Sequence, residues 1–151
     1  MFETAIGLIG AGLTAIVCVF ALIAGEKIER VGAISYLVAW LATTLIIASF
    51  GDEGQGNWFM LAIDLALLST FAAIVWKAPR NWPVWACAFQ ILIVASQVLI
   101  LSNFDTPIVS YYIIVNMASI GILISIAIGT FMAWQERAAI GRAHDELGGY
   151  S

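Results

Sequence analysis

The sequence predicts an all-α integral membrane bundle of five transmembrane helices, with the N-terminus outside and the C-terminus in the cytoplasm. Three observations support this fold class: the composition, five long apolar runs, and a one-sided distribution of Lys and Arg. Of 151 residues, 62% are hydrophobic and 11% are charged, and the mean hydropathy is +0.99. Soluble domains carry about 25% charged residues. The chain therefore has too little polar surface for a water-soluble globule.

Each apolar run is long enough to cross a bilayer, which takes about 20 residues of helix. We expect a transmembrane domain over 1–134 and a short cytoplasmic tail over 135–151. Pro83 and Pro107 stand where the fourth and fifth helices can begin. The first run is expected to remain as a span, because a cleaved signal peptide would need basic residues before it. The predicted spans are 4–25, 31–50, 58–76, 83–101 and 107–134.

Orientation follows from the basic residues, which concentrate in cytoplasmic loops. With five spans, the first loop, the third loop and the tail share one side, and these segments hold every Lys and Arg in the chain. The opposite side has acidic residues and no base. The chain is thus expected to be a multi-pass membrane protein with this orientation. The basic residues are Lys27, Arg30, Lys77, Arg80, Arg137 and Arg142, and the acidic residues opposite them are Glu3, Asp52, Glu53 and Asp105.

Aromatic residues are expected in belts at the two membrane boundaries, where an amphipathic ring is favoured. Among the six tryptophans, Trp40 alone lies well inside a predicted span. The cytoplasmic belt is predicted to contain Trp76, Trp82, Trp85 and Trp134, and the outer belt Trp58, Tyr111 and Tyr112.

Small residues recur every four positions on three helices, a spacing typical of close helix contacts in membranes. The clearest set is Gly121, Ser125 and Gly129, which we predict to be a helix-contact stripe. The spacing leaves open whether such contacts are internal or made with another subunit. Similar sets are Gly7, Ala11 and Ala15 on the first helix and Ala62, Ala66 and Thr70 on the third.

Asp64 is the one charged residue inside a predicted span, and for such a residue a functional role is the default hypothesis. It lies six residues after Trp58, about 9 Å along its helix. One interpretation is a proton or cation site reached from outside. The other is a carboxyl group that holds the bundle together by hydrogen bonds. Gln90 lies deeper, nearer the middle of the fourth helix, and is interpreted as forming an interhelical hydrogen bond. The predicted polar cluster is Asp64, Gln97, Asn116, Thr43 and Thr44.

Several functions have no supporting motif. The single histidine, His144, is in the tail, and no Lys lies within a span. The sequence contains no Walker loop, no nucleophile elbow and no HExxH motif. We therefore expect no enzymatic activity, no catalytic residue, no cofactor and no metal site. Nucleic acid is not an expected partner, because there is no basic patch.

The chain resembles a group of small bacterial multi-spanning membrane proteins that carry an Arg-x-Trp-Pro-x-Trp segment. The resemblance covers roughly residues 25–137. It implies a fold and a location in the bacterial inner (cytoplasmic) membrane, but no activity. Members often have histidine where Gln97 stands. The residues that carry the resemblance are Glu29-Arg30, Trp40, Asp64, Arg80-Asn81-Trp82-Pro83-Val84-Trp85, Phe89-Gln90 and Gly129-Thr130.

Short loops, small-residue stripes and the lack of reactive groups favour a non-catalytic subunit or accessory protein packed within a larger membrane assembly. Its expected partners are the lipid bilayer and either other membrane subunits or copies of itself. The alternative is a small oligomeric transporter or channel coupled to protons or cations through Asp64.

Overall fold

The computed structural model describes residues 2–50, 55–102 and 107–149. These residues form five α-helices joined by short connections, and none of them is in a strand. All five helices are long and apolar enough to cross a membrane, as the apolar runs predict. The helices are α1 Phe2–Ala24, α2 Lys27–Phe50, α3 Gln55–Lys77, α4 Trp82–Leu101 and α5 Ile108–Gly148.

Helices α2 and α5 show the largest extensions beyond the spans that the apolar runs predict. Helix α2 begins at Lys27 rather than at residue 31, so its polar first turn is helical. Helix α5 has 41 residues and continues through most of the predicted tail to Gly148. At the start of α4, Pro83 occupies the first turn, where the missing N–H has no helical partner to lose.

Consecutive helices pack against each other, and α5 also packs against α1 and α2. Since the connections are short, neighbouring helices run antiparallel. The bundle therefore has two ends of different composition. At the basic end, α1 and α3 finish and α2 and α4 begin. At the acidic end, α2 and α4 finish and α3 and α5 begin, close to Asp52, Glu53 and Asp105 in the sequence.

The distribution of side chains suits a lipid environment. Small residues such as Ala21, Ala33, Ala86 and Ala118 are buried between helices, while many large aliphatic residues face outward. In water, exposed apolar patches of this extent would cause association. In lipid, small buried residues allow close packing of helix backbones.

The stripe on α5 is an internal contact surface. Gly121, Ser125 and Gly129 are all buried, and a Cβ added at Gly121 would come within 2.7 Å of the Phe89 ring. At Gly129 the same atom would come within 2.4 Å of Trp82. Both aromatic residues belong to α4, so the absence of side chains at these glycines lets two rings pack directly on the α5 backbone.

The comparable sets on α1 and α3 are different, because they face largely outward. Gly7 and Ala15 are exposed, and Gly7 has no neighbouring atom within 4 Å of an added Cβ. Ala62 and Ala66 are exposed too. No contact within the bundle therefore explains these two sets.

Trp82, which the sequence assigns to the cytoplasmic aromatic belt, begins α4 and is buried within the bundle. Its side chain is 5% exposed, whereas Trp76 is 92% exposed. The ring lies between two glycines, Gly32 of α2 and Gly129 of α5. The indole Nε1 donates a hydrogen bond to Glu29 Oε1 at 3.2 Å. Trp82 is thus a packing residue that joins three helices.

Glu29 anchors a polar cluster at the basic end. Its side chain is fully buried, and its Oε1 accepts a hydrogen bond from Arg80 Nη1 at 3.0 Å. Its Oε2 accepts from the backbone N–H of Glu26 at 3.1 Å. Arg80 also contacts Glu26 at 3.0 Å and Glu136 at 3.2 Å. The guanidinium group therefore connects α2, the α3–α4 connection and α5.

Two further arginines donate hydrogen bonds to backbone carbonyls at the C-terminal end of α1. The last turn of α1 itself contains no basic residue. Arg30 Nε donates to the carbonyl of Gly25 at 3.1 Å, and Arg137 donates to the carbonyl of Ala24. Carbonyls at a helix C-terminus lack intrahelical partners and carry partial negative charge. Cations from α2 and α5 satisfy them here.

Candidate intramembrane binding site

Asp64 lies within α3 and is hydrogen-bonded to two glutamines of α4. Gln90 Nε2 is 2.7 Å from Asp64 Oδ1, and Gln97 Nε2 is 2.5 Å from Asp64 Oδ2. Gln90 Nε2 also lies 3.3 Å from the backbone carbonyl of Asp64. Each carboxylate oxygen therefore has its own amide donor, and the carboxyl group is fixed across the α3–α4 interface.

The two glutamines reach one carboxyl group because of their spacing. Residues seven positions apart are almost two full helical turns apart and lie on the same helix face. Gln90 and Gln97 are 0% and 8% exposed, so this face is buried. Asp64 lies between their amide groups. A carboxyl group with two oxygens can accept from both at once.

The direction of these hydrogen bonds suits an ionised carboxylate. Both amides present N–H groups to Asp64, and an ionised carboxylate only accepts hydrogen bonds. A protonated carboxyl would present an O–H group, which needs an acceptor such as an amide oxygen. Rotation of one glutamine amide would supply that acceptor. The site can therefore hold both the ionised and the protonated forms with little movement of the backbone.

Two buried acceptors in the site have no partner among the described residues. They are the amide oxygens of Gln90 and Gln97, each attached to the same carbon as the nitrogen that contacts Asp64. An unsatisfied buried polar group costs about 1–3 kcal/mol. In this conformation protein atoms cover both oxygens, so a donor in the cavity reaches them only when the glutamine amides shift toward it.

A cavity of about 510 Å³ adjoins Asp64 and both glutamines. Its walls come from α2, α3, α4 and α5, and it extends toward the acidic end as far as Asn57, about 10 Å along α3 from Asp64. A smaller cavity of about 190 Å³ also reaches Gln97 and Asn57. The further polar residues lining the larger cavity are Tyr36, Thr43, Thr44, Tyr111, Tyr112, Asn116 and Ser119.

All members of the predicted polar cluster lie around this cavity, but they do not all bond to Asp64. Gln97 contacts the carboxylate directly. The Thr44 hydroxyl donates to the Trp40 carbonyl at 2.9 Å, and Asn116 Nδ2 donates to the Tyr112 carbonyl at 2.8 Å, each within its own helix. Thr43 lies on the α2 wall. These three residues contribute to the polarity of the wall rather than to the bonds that hold Asp64.

Gln90 is missing from the predicted cluster, although it donates one of the two bonds to the Asp64 carboxylate. Its greater depth along α4 suggested a separate interhelical hydrogen bond. The seven-residue interval between Gln90 and Gln97 is the sequence signal that could have joined them. Tyr36, on the opposite wall, gave no such signal, because one tyrosine within an apolar run is ordinary.

The electrostatics of the cavity favour a positive guest. Asp64 is the one charged side chain among the described residues that line it. In the sequence, the connections from α2 to α3 and from α4 to α5 carry Asp52, Glu53 and Asp105 and no Lys or Arg. A carboxylate without a cationic partner in low dielectric attracts positive charge, because its own desolvation is costly.

The comparisons with known proteins identify no relative. No protein-family model, curated protein or solved structure matches the chain. Functional inference therefore rests on the cavity and on the residues that line it.

Proposed function

We propose that this chain is a small transporter or channel of the bacterial inner membrane that binds a proton or a cation at Asp64. One observation carries the proposal: Asp64 is held by Gln90 and Gln97 at the wall of a polar cavity between four helices. A carboxyl group needed for packing alone would not require such a space. Ionisable residues at membrane depth that face a cavity typically mark ion pathways.

The charge distribution supports entry of cations from the acidic end. In the sequence, Glu3 precedes the first apolar run, and the connections from α2 to α3 and from α4 to α5 contain Asp52, Glu53 and Asp105 but no Lys or Arg. A surface of one sign raises the local concentration of oppositely charged ions. By the positive-inside rule, the basic residues at the other end support a cytoplasmic position for that end. In the proposed arrangement the cavity is thus nearer the outer side.

Flux in liposomes tests this function. The purified chain is reconstituted, and proton and monovalent-cation uptake is driven by an imposed membrane potential. We expect uptake by the unmodified chain, while Asp64→Asn reduces it to the level of protein-free liposomes. Asparagine nearly preserves the shape and keeps hydrogen-bonding capacity toward both glutamines, but it neither ionises nor carries a proton.

Ser69→Ala is the matched control on the same helix. Ser69 is exposed, and its hydroxyl bonds to the Leu65 carbonyl within α3 at 2.8 Å. Its removal should leave uptake unchanged. Equal uptake by the Asp64→Asn and Ser69→Ala proteins would contradict the proposal, and so would the absence of any uptake by the unmodified chain.

A non-catalytic subunit within a larger membrane assembly is the second candidate function. The outward-facing small residues of α1 and α3 favour it, because such residues allow another helix to approach closely in lipid. Gly7 and Ala15 on α1, and Ala62 and Ala66 on α3, have this character.

Co-purification distinguishes the two candidates. The chain carries a C-terminal tag and is extracted from native membranes in a mild detergent. Partners in fixed stoichiometry, retained in Asp64→Asn, would support the subunit function. A particle that contains only copies of this chain would argue against it.

A further inference from the structure

The cavity beside Asp64 also indicates what kind of cation it accepts. Building on the proposed function, we infer that it binds a primary ammonium compound, R–NH₃⁺, in which R is an apolar or aromatic group. The ammonium group lies against Asp64 and donates hydrogen bonds to the amide oxygens of Gln90 and Gln97. The rest of the molecule occupies the cavity.

The first step concerns the acceptors. Gln90 and Gln97 each use an amide nitrogen to hold Asp64 and leave the amide oxygen buried without a partner. Covalent geometry therefore places both oxygens within roughly 5 Å of the carboxylate. Each carboxylate oxygen has accepting capacity beyond the one bond it receives. Both oxygens thus lie near the carboxylate, and a small shift of the glutamine amides toward the cavity would bring them within reach of a group bound at Asp64.

The second step matches these acceptors to donors. A primary ammonium group has three N–H donors and a single positive charge. One N–H can pair with Asp64, and the other two can reach the two amide oxygens. A quaternary ammonium group has the charge but no N–H donor, and an alcohol has one donor and no charge. Of these three groups, the primary ammonium group is the one that has both a positive charge and a donor for each acceptor.

The third step concerns the size and the walls of the cavity. At about 510 Å³ the cavity is far larger than a monovalent ion needs and falls within the range of small-molecule pockets. Four aromatic residues lie on its walls, two from α2 and two from α5. Such rings contact apolar groups and attract cations. They are Tyr36, Trp40, Tyr111 and Tyr112.

The test measures binding rather than transport, by calorimetric titration of the protein in lipid nanodiscs. Three probes share one body: 2-phenylethylammonium, its trimethylated quaternary analogue, and 2-phenylethanol. We expect saturable binding of the primary ammonium probe, and at least about tenfold weaker binding of the other two. Tenfold corresponds to the loss of a charge-assisted hydrogen bond.

Variants of the chain identify the acceptors. Gln97→Met keeps the length of the side chain but removes its amide, and should weaken binding of the primary ammonium probe about tenfold. Gln135→Met makes the same change at an exposed position of α5 outside the cavity, and should leave binding unchanged. Asp64→Asn should weaken binding at least as much as Gln97→Met. Thermal unfolding of each variant verifies that it remains folded.

The outcomes separate this inference from the proposed function. Equal affinity for the three probes, or equal effects of Gln97→Met and Gln135→Met, would overturn the ammonium site. Proton flux that depends on Asp64 without binding of the primary ammonium probe would also overturn it, while leaving the proposed function intact. Selective binding without any flux would support the site and remove the transport function.

Discussion

At the scale of single residues, the Glu29 carboxylate accepts hydrogen bonds from three donors among the described residues, whereas the Asp64 carboxylate accepts from two. The buried carboxylate of Glu29 receives donors from Arg80, Trp82 and the backbone of Glu26. Burying an ion is costly, and removing one partner of a buried pair is strongly destabilising, because the other is left uncompensated. The Arg-x-Trp-Pro-x-Trp segment supplies two of these donors, so its pattern has a structural explanation in this chain.

Arg80→Met should therefore destabilise the protein. We expect the free energy of unfolding to fall by about 3 kcal/mol, measured by thermal or detergent unfolding followed by tryptophan fluorescence. Lys77→Met, at an exposed position near the same end, is the control and should change stability little. The double variant Glu29→Leu with Arg80→Met should recover part of the loss, since no unpaired charge remains. A double variant less stable than Arg80→Met would refute this explanation.

The sequence predicts which residues belong to the candidate site better than it predicts the bonds between them. Asp64 stands out because it is charged within an apolar run, and Gln97 because antiparallel helices place it at a similar depth. The direct bonds to Gln90 and Gln97, and the in-helix bonds of Thr44 and Asn116, depend on side-chain rotation. Depth alone does not determine them.

At the scale of elements, the number of helices is predictable and their ends are less so. Five apolar runs of spanning length give five helices, because a backbone in lipid must satisfy its own hydrogen bonds. The first turn of α2 and the last third of α5 are polar, so hydropathy leaves them out. These two polar segments are helical in the structure, and both form ion pairs with Arg80, through Glu29 and Glu136.

The α5 stripe leads to a prediction at this scale. Gly129→Ala should destabilise the bundle by about 1–3 kcal/mol, because its Cβ would meet the buried Trp82 ring and neither helix can shift freely. Gly141→Ala, in the same helix with open space around it, should raise the free energy of unfolding by about 0.5–1 kcal/mol. Thermal unfolding of both variants measures the difference. Equal stabilities would show that α4 and α5 are less closely packed than described.

At the scale of the whole molecule, the two ends of the bundle differ in charge. All six Lys and Arg residues lie at or beyond one end in the sequence. The charged residues of the connections at the other end are all acidic. An asymmetry of this kind sets the orientation of a membrane protein during insertion. It also gives the proposed cation site an electrostatic direction of approach.

Reporter fusions test this orientation. A fluorescent protein fused after residue 149 should be bright, because it folds in the cytoplasm, and alkaline phosphatase fused there should be inactive. Phosphatase inserted between residues 51 and 54 should be active. Changing Lys77 and Arg80 to Gln should reduce the bias toward this orientation. The reverse pattern of activities would overturn the assignment of sides.

The polar cluster at the basic end has a consequence for the synthesis of the chain. Glu29 precedes Arg80 by 51 residues, so at about 5–20 residues per second the carboxylate emerges from the ribosome roughly 3–10 seconds before its partner. During that interval Glu29 lacks the guanidinium of Arg80, with which it pairs in the bundle. Because an unpaired carboxylate is costly to bury, we expect the start of α2 to stay in contact with water until the segment that contains Arg80 follows.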